Sequence, residues 1–478
     1  MTTEATSGFE NAAAYGFVPG GDAGANVAAL QRACDGGNKT LVVSRPGVYS
    51  LNDTVYLDDH TRLLFGEGVV LEKTGRYSFV LANRGALTRT WNRDIDIDGL
   101  HIRVNGVDCI PPEGHPCYGL RGHLTLFCVR NAAITRFRCL DLARGQFTIH
   151  VCAFENLLID GFEIRGMKDG LHIGAGRTFA IRNGLCETFD DAVALNAQDY
   201  PSSQPMQGDI EDGLVENVTD VGKKETTGHF GRLLTGAWVD WHRGIRLQHG
   251  DTVRHGTNVY RVVMKLGTEE FVSDEPPEHT AGVWADSAGL RFVYNQCDGA
   301  TSASIRNVTF RNIYLRDQRV GFAAYWETGK YHRAVHPETP RGSLPECEVR
   351  LVDIHGVNTT TLLSSNSHLR AWLDRVSANG CLFAGGGDGV RVDLAVTGAR
   401  IAADGNGEDA PDIRFAGTGK LNLLLESILQ ERDIRLDLEP GTAVRVNGTA
   451  SVANLSPECG DSIKVRNQLK TYDGIGWR

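Results

Sequence analysis

Apolar and polar residues alternate along this chain in short runs, and the runs return at a near-regular interval. "RDIDIDGLHIRV" near residue 93, "VRNAAITRFRCLDL" near 129 and "FENLLIDGFEIRGM" near 154 are three of them. "RTFAIRNGLCETF" near 177, "GDIEDGLVENVTD" near 208 and "ASIRNVTFRNIYLRD" near 303 follow. Aligning Phe137, Phe162, Leu185 and Leu214 gives steps of 25, 23 and 29 residues. Alternation with a period of two marks half-buried strands, and Asn/Asp-Gly pairs between them mark corners. A β-sandwich built of hairpins would need a turn after every strand, whereas here one phase returns once per unit. Coiling the chain lets each strand pair in parallel with its counterpart one unit on, so the apolar faces stack without interruption. Asn or Asp at a fixed corner suits the left-handed backbone that such a bend requires. The pattern predicts an all-β protein: a single-stranded, right-handed parallel β-helix carrying a small inserted β module.

Three regions break the rhythm: the N-terminal segment over 8–75, residues 237–296, and the stretch from 380 onward, where the coils shorten and a polar tail follows. "GANVAALQRACDGG" has a helical period and is expected to cap the open N-terminal end of the solenoid. Residues 237–296 lose the repeat and hold three of the seven tryptophans, Trp238, Trp241 and Trp284. The expected organisation is therefore a cap and coils over 1–236, a β module over 237–296, and further coils with a polar tail over 297–478. The insert, with two tryptophans, then Gly-Asp-x-Val, then a tyrosine, resembles small modules of chitin-binding type and modules of phage tail proteins. Its tryptophans either stack on sugars or form the module's own core.

Composition narrows the partners. A net charge of −10 without a basic cluster argues against nucleic acid. No run approaches the roughly eighteen apolar residues of a membrane span. The N-terminus shows no export signal, so a cytoplasmic location is expected. Eleven cysteines, an odd number without a CxxC pair, point to neither a metal centre nor a disulfide framework. Cys109 and Cys117 are the one pair near enough in sequence to suggest a bridge. A homo-oligomer is left open.

The chemistry gathers in "MKDGLHIGAGRTFAIRNGLCETFDDAVALNAQD". Asp169 precedes one alternating strand, and Asp190 and Asp191 precede another, 21 and 22 residues on. One coil later the chain is back on the same side of the solenoid, roughly 4.8 Å away. Three carboxylates so crowded are expected to raise at least one pKa, leaving an acid protonated near neutrality. Glycosidic cleavage uses such a pair, one carboxyl protonating the leaving oxygen and another activating water. The same aspartates could instead be plain corner residues, like Asp98 and Asp160, or calcium ligands.

Lys168-Asp169-Gly170-Leu171 and Phe189-Asp190-Asp191-Ala192-Val193-Ala194-Leu195-Asn196 resemble the first two motifs of glycoside hydrolase family 28, the polygalacturonase family, at that family's spacing. The resemblance implies a carbohydrate substrate, no cofactor and no metal. It makes Asp190 the general acid, with Asp169 and Asp191 holding the nucleophilic water, and the outcome inversion. Asn196 fits the second motif and would bond substrate. The third motif, Gly-His-Gly, is absent at Glu211-Asp212-Gly213, where the spacing puts it. The fourth grips the substrate's carboxylate through an arginine. Arg232 is favoured over Arg246, although neither brings the motif's lysine. His172 on the strand after Asp169, and Tyr325, Trp326, Glu327 and Lys330 in "AAYWETGKYH", complete the candidate sugar-binding residues. A calcium-dependent lyase or epimerase, which needs a base beside the metal, and a non-catalytic tail-fibre-like binder are the rival readings.

Overall fold

The computed structural model describes residues 9–471, apart from 77, 109, 223–225, 266, 317, 328–331, 402–409, 455–461, 466 and 467. Lys330 and Cys109 therefore lie outside the described residues. The chain folds as a right-handed parallel β-helix. Its strands form three parallel ladders, each of which gains one strand per coil.

The first face shows why these sequences coil. Ile134, Ile159, Ile181, Val215, Phe310 and Leu351 stand in register on successive strands and point inward. Each is at most 1% exposed, so the solenoid axis is one continuous apolar column. The corners are polar ladders. Asn183, Asn217 and Asn312 all adopt positive φ; Asn217 and Asn312 each donate to the asparagine a coil before, over 3.2 and 2.8 Å, and Asn183 donates to Asp160 at 2.7 Å. The register differs in one respect from the repeat read off the sequence. Phe137 pairs with Phe162, but Phe162 pairs with Gly184, and Leu214 pairs with Ala180 on the neighbouring face. Leu185 and Leu214 are half-buried outward residues, and the inward position beneath Phe162 is a glycine. A Cβ on Gly184 would sit 2.0 Å from the Phe162 ring, so the stacked ring itself demands glycine there.

The helix Ala23–Cys34 covers the first coil, burying Ala29, Leu30, Ala33 and Cys34, and Asp22 caps its N-terminus. After the strand Gly231–Leu234 the chain leaves the solenoid. Val239–Asp240, Thr252–His255, Asn258–Val263, Val283–Ala285 and Arg291–Cys297 make a separate, mainly antiparallel sheet. That module has its own core of Ile245, Leu247, Val253, Tyr260, Val262, Leu290 and Phe292, against which Trp241 and Trp284 pack. Trp238 is buried in the solenoid core, its indole N–H donating to the Ala300 carbonyl at 2.7 Å. The tryptophans thus serve packing. Ile305–Leu315 then pairs with Ile210–Asp220, resuming the ladder across the insert. Cys117 is a free buried thiol. Among the described residues, no helix is long and apolar enough to cross a membrane.

Candidate active site

The third face carries the acidic cluster. Its strands Phe147–Gly166, Leu171–Ile173, Val193–Asn196, Gly231–Leu234 and Val320–Tyr325 pair in sequence, with Ile149, Leu171, Val193, Gly231 and Phe322 in register. Two positions earlier, this register stacks Phe147, Asp169, Asp191 and His229. The Gly170 and Ala192 amides bond the Asp191 and His229 carbonyls at 2.9 and 3.0 Å and hold the stack. Gly170 permits it, because a Cβ there would lie 2.7 Å from the Ala192 carbonyl oxygen.

The three aspartates converge: one oxygen of each lies within 4.8 Å of one from the others. Asp169 and Asp191 are almost sealed, whereas the Asp190 side chain is 28% exposed. Three carboxylates packed together repel, and cations set among them resolve the repulsion. Lys168 bonds Asp190 and lies 3.2 Å from Asp169. His172 Nδ1 meets Asp169 at 3.0 Å, and its Nε2 meets Asp199 at 3.3 Å. His229 meets Asp191 through its backbone N–H at 2.8 Å and its ring Nδ1 at 3.1 Å. Arg232 Nη1 lies 3.8 Å from Asp191 and 4.0 Å from Asp199, while Nη2 lies 3.5 Å from Glu327. Tyr200 and Tyr325 flank that guanidinium at 5.8 and 5.3 Å.

At Asp169 and Asp191 these contacts run against the expectation that crowding raises a pKa. Burial does push Asp169 upward, but Lys168 and the bond to His172 outweigh it and hold the carboxyl below its ordinary range. Asp191 is likewise held low against burial by His229 and Arg232. Burial works against charge on His172 and Lys168 too. The neighbouring carboxylates nonetheless raise both pKa values, so Lys168 stays an ammonium and His172 is biased toward imidazolium. The carboxyl that does rise is Glu327: burial lifts it, Arg232 opposes, and Asp199 and Asp191 add to the rise.

The structure brings Asp169, Asp190, Asp191, His172, Asn196, Arg232, Tyr325 and Glu327 into one neighbourhood. Asn196 enters through Asp199, to which its amide donates at 2.6 Å. Trp326 goes elsewhere, packing on the solenoid core and edge-on against His368 at 5.2 Å. Arg246 is exposed on the insert strand Ile245–Leu247. Three residues escaped the sequence reading. In the sequence Lys168 is only a neighbour of the Asp169 motif, and Asp199 has no motif of its own. His229 lies well beyond 211–213, the position one short coil on from Asp190. The contact between Asp191 and His229 spans 38 positions, against 22 between Lys168 and Asp190. The stretch 197–209, between the strands Val193–Asn196 and Ile210–Asp220, accounts for most of the difference. The residues that reach Asp191 are Gly228 and His229, followed by Phe230. A Cβ on Gly228 would lie 2.3 Å from the Asp190 backbone, so glycine lets the chain pass close beside Asp190 there.

Three carboxylates this close could share a divalent cation. The donor set fits one poorly, because the Lys168 ammonium already sits against Asp190 and Asp169. The insert braces the site from outside: Arg261, fully buried, donates to the Asp199 carbonyl and, at 3.0 Å, to Gly250.

No family model matches the chain, and no curated protein sequence does. Similar solved structures include the family 28 exopolygalacturonase of Yersinia enterocolitica, at 12% identity over 96% of this chain and 78% of that one, with a TM-score of 0.43. The Streptococcus pneumoniae surface protein and adhesin PfbA shares 12% identity over 96% of this chain and 100% of its own, with a TM-score of 0.42. The A-module of the Azotobacter vinelandii mannuronan C-5 epimerase AlgE6 shares 12% over 96% and 98%, at 0.39. A hydrolase, an adhesin and an epimerase at equal identity leave the chemistry to the site's own geometry.

Proposed function

We propose that this chain is a glycoside hydrolase that cleaves a poly- or oligosaccharide by a carboxylate-based, inverting mechanism. The observation that carries the reading is the pair Asp169 and Asp191, nearly sealed on adjacent coils and held ionised by four surrounding cationic or imidazole side chains. A carboxylate kept charged in a closed site suits a base that orients and deprotonates water. Asp190 and Glu327, 28% and 22% exposed, are the carboxyls that a sugar can reach. A lyase or epimerase would need a neutral base to take a proton from carbon, and Lys168 is held as an ammonium instead. Arg232, which the family resemblance would assign to a substrate carboxylate, is shared among three protein carboxylates, which weakens the case for a polyuronate.

The test is a glycan panel read by released reducing ends, with Asp191→Asn as the control. Hydrolysis of one glycan class, lost in the variant, supports the proposal. A wild-type protein that releases nothing from any class, or an Asp191→Asn variant as active as wild type, sinks it. Proton NMR of the first-formed anomer decides inversion.

A further inference from the structure

We infer that Arg319 and Asp220 form a buried positioning pair, which turns the Asp190 peptide so that Asp190 and Asp191 both enter the acidic cluster. The inference rests on the reading of that cluster as the site of hydrolysis, although the geometry it claims can be read without turnover. In a strand, neighbouring side chains point to opposite faces. Two consecutive aspartates can reach one site only where the chain leaves strand geometry. It bends at Phe189 and Asp190, between the strands Gly176–Thr188 and Val193–Asn196. A bend takes backbone groups off the ladder, and each then needs another partner. The Phe189 carbonyl accepts from the Thr227 amide at 2.9 Å, and that of Asp191 from the Gly170 amide at 2.9 Å. The Asp190 carbonyl between them is held by side chains. Arg319 Nη1 donates to it at 2.8 Å and the Thr188 hydroxyl at 2.9 Å.

The partner of Arg319 stands where an apolar residue is the rule. Asp220 occupies an inward column, in register with Cys139, Ile164, Cys186 and Leu315, all at most 1% exposed. A carboxylate there costs stability unless it is paired. The Arg319 guanidinium, itself buried, meets it through Nη2 at 2.7 Å and Nε at 3.1 Å. Two apolar side chains could fill the same space, since exchanging a buried ion pair for them is often neutral or stabilising. They could not supply a donor to the Asp190 carbonyl. Arginine can, because its N–H groups form a rigid fork: Nε and Nη2 face Asp220 while Nη1 faces the peptide.

The contact joins three successive coils. Thr188 ends a strand on the first, Asp220 ends its neighbour on the second, and Arg319 precedes the strand Val320–Tyr325 on the third. With the carbonyl fixed toward the guanidinium, the Asp190 carboxylate reaches Lys168 and that of Asp191 reaches His229. Arg319 thus acts on the cluster through the backbone, without adding a group to it.

The experiment compares wild type with two variants. Arg319→Met/Asp220→Leu removes both charges together, and Thr188→Val removes one bond to the Asp190 carbonyl while keeping the pair. Melting temperature, crystal structure and steady-state reducing-end release are measured for each. The double variant should melt near wild type, yet its Asp190 carboxylate should leave Lys168. Its kcat should fall on the order of 10²-fold, as a misplacement of about 1 Å costs. Thr188→Val should lose about two- to tenfold in kcat with KM little changed, the worth of one hydrogen bond. A pair that serves only packing gives the contrary result. The double variant then keeps wild-type stability, carboxylate positions and kcat, and that outcome overturns the inference. Should the double variant not fold, Thr188→Val decides: an unmoved bend with unaltered kcat overturns the inference as well. A wild-type protein that releases nothing from any glycan fails the hydrolase reading. The crystal structures then decide alone, and Asp190 still seated on Lys168 in the folded variants overturns the positioning role.

Discussion

Asp98-Gly99 and Asp160-Gly161 share a dipeptide with Asp169-Gly170, yet the two kinds of site have little else in common. At the outer corners the glycines take positive φ, 78° and 72°, to turn the chain. Gly170 does not; it is there because a neighbouring carbonyl leaves no space for a Cβ. The corner carboxylates stay partly in water, each paired with an arginine one or more coils on. Asp98 bonds Arg136 at 2.7 Å and Asp160 bonds Arg182 at 2.8 Å, with the arginine side chains 68% and 41% exposed. Asp169 and Asp191 have lost that water and are balanced by cations that are themselves largely buried. Water does the balancing at a corner, so the pairing there is almost optional. In the cleft, protein groups must do it, and the arrangement becomes specific enough to set protonation states.

The largest effect that separates the two classes should be on activity. Asp191→Asn keeps the shape but removes the base, and should cost about 10²–10⁴-fold in the rate of reducing-end release. Asp160→Asn should leave that rate within about twofold, since it alters only a screened surface pair. Equal losses in the two variants would dissolve the distinction.

Stability should separate them next. Arg232→Met leaves Asp191, Asp199 and Glu327 facing one another without their shared cation. Removing one member of a buried ionic cluster typically costs about 3–5 kcal/mol. Arg182→Met, on the outer ladder, should cost less than about 1 kcal/mol. Urea unfolding of both variants against wild type measures the difference. An Arg232→Met protein as stable as Arg182→Met would mean the cluster is better hydrated than its burial indicates.

Between these lies a pH effect. His172 is raised above 6.5 by Asp169 and Asp199 despite complete burial. A raised folded-state pKa contributes stability that is full below 6.5 and is lost as pH rises through the folded value. Asp169, held low, contributes in the opposite sense: its share is full above 3.8 and is lost as pH falls through its folded value. The melting temperature should therefore decline on the alkaline side in wild type and less in His172→Gln. Imidazole NMR of His172 should show titration above that of an exposed histidine. Titration below 6.5 would contradict the bridge.

How much of this was legible beforehand follows from where each signal resides. The parallel coil was readable because alternation and corner asparagines are local, as in Asn183 and its partners a coil away. Asp169 and Asp191 were readable because the coil between them is short. His229 was not, because the stretch 197–209 lengthens the next coil and carries it beyond the expected position. Asp199 left no trace in pattern, since its importance arises only where a loop folds over His172. The phase at Leu185 and Leu214 misled because a glycine took the inward position there and a leucine faced outward.

The smallest expected effect tests the other half of the comparison, the claim that the corners are lightly loaded. Asp98 is held below its ordinary pKa chiefly by its bond from Arg136, with Thr135 adding a second at 2.7 Å. Its contribution is therefore present above 3.8 and lost as pH falls through the folded value. The Arg136 side chain is mostly in solvent, however, and salt screens such a pair, the Debye length falling to about 3 Å at 1 M. Asp98→Asn should accordingly change unfolding stability by less than about 1 kcal/mol at low salt, and by still less in 1 M NaCl. The asparagine can still accept from Thr135, and its short polar side chain makes the same kind of corner contact. Were Asp98→Asn to cost several kcal/mol, or to cost the same at high salt, the corner would be carrying a buried-type load. The contrast between Asp98 and Asp169 would then be one of degree. A small, salt-sensitive change leaves burial as what distinguishes two identical Asp-Gly pairs on one solenoid.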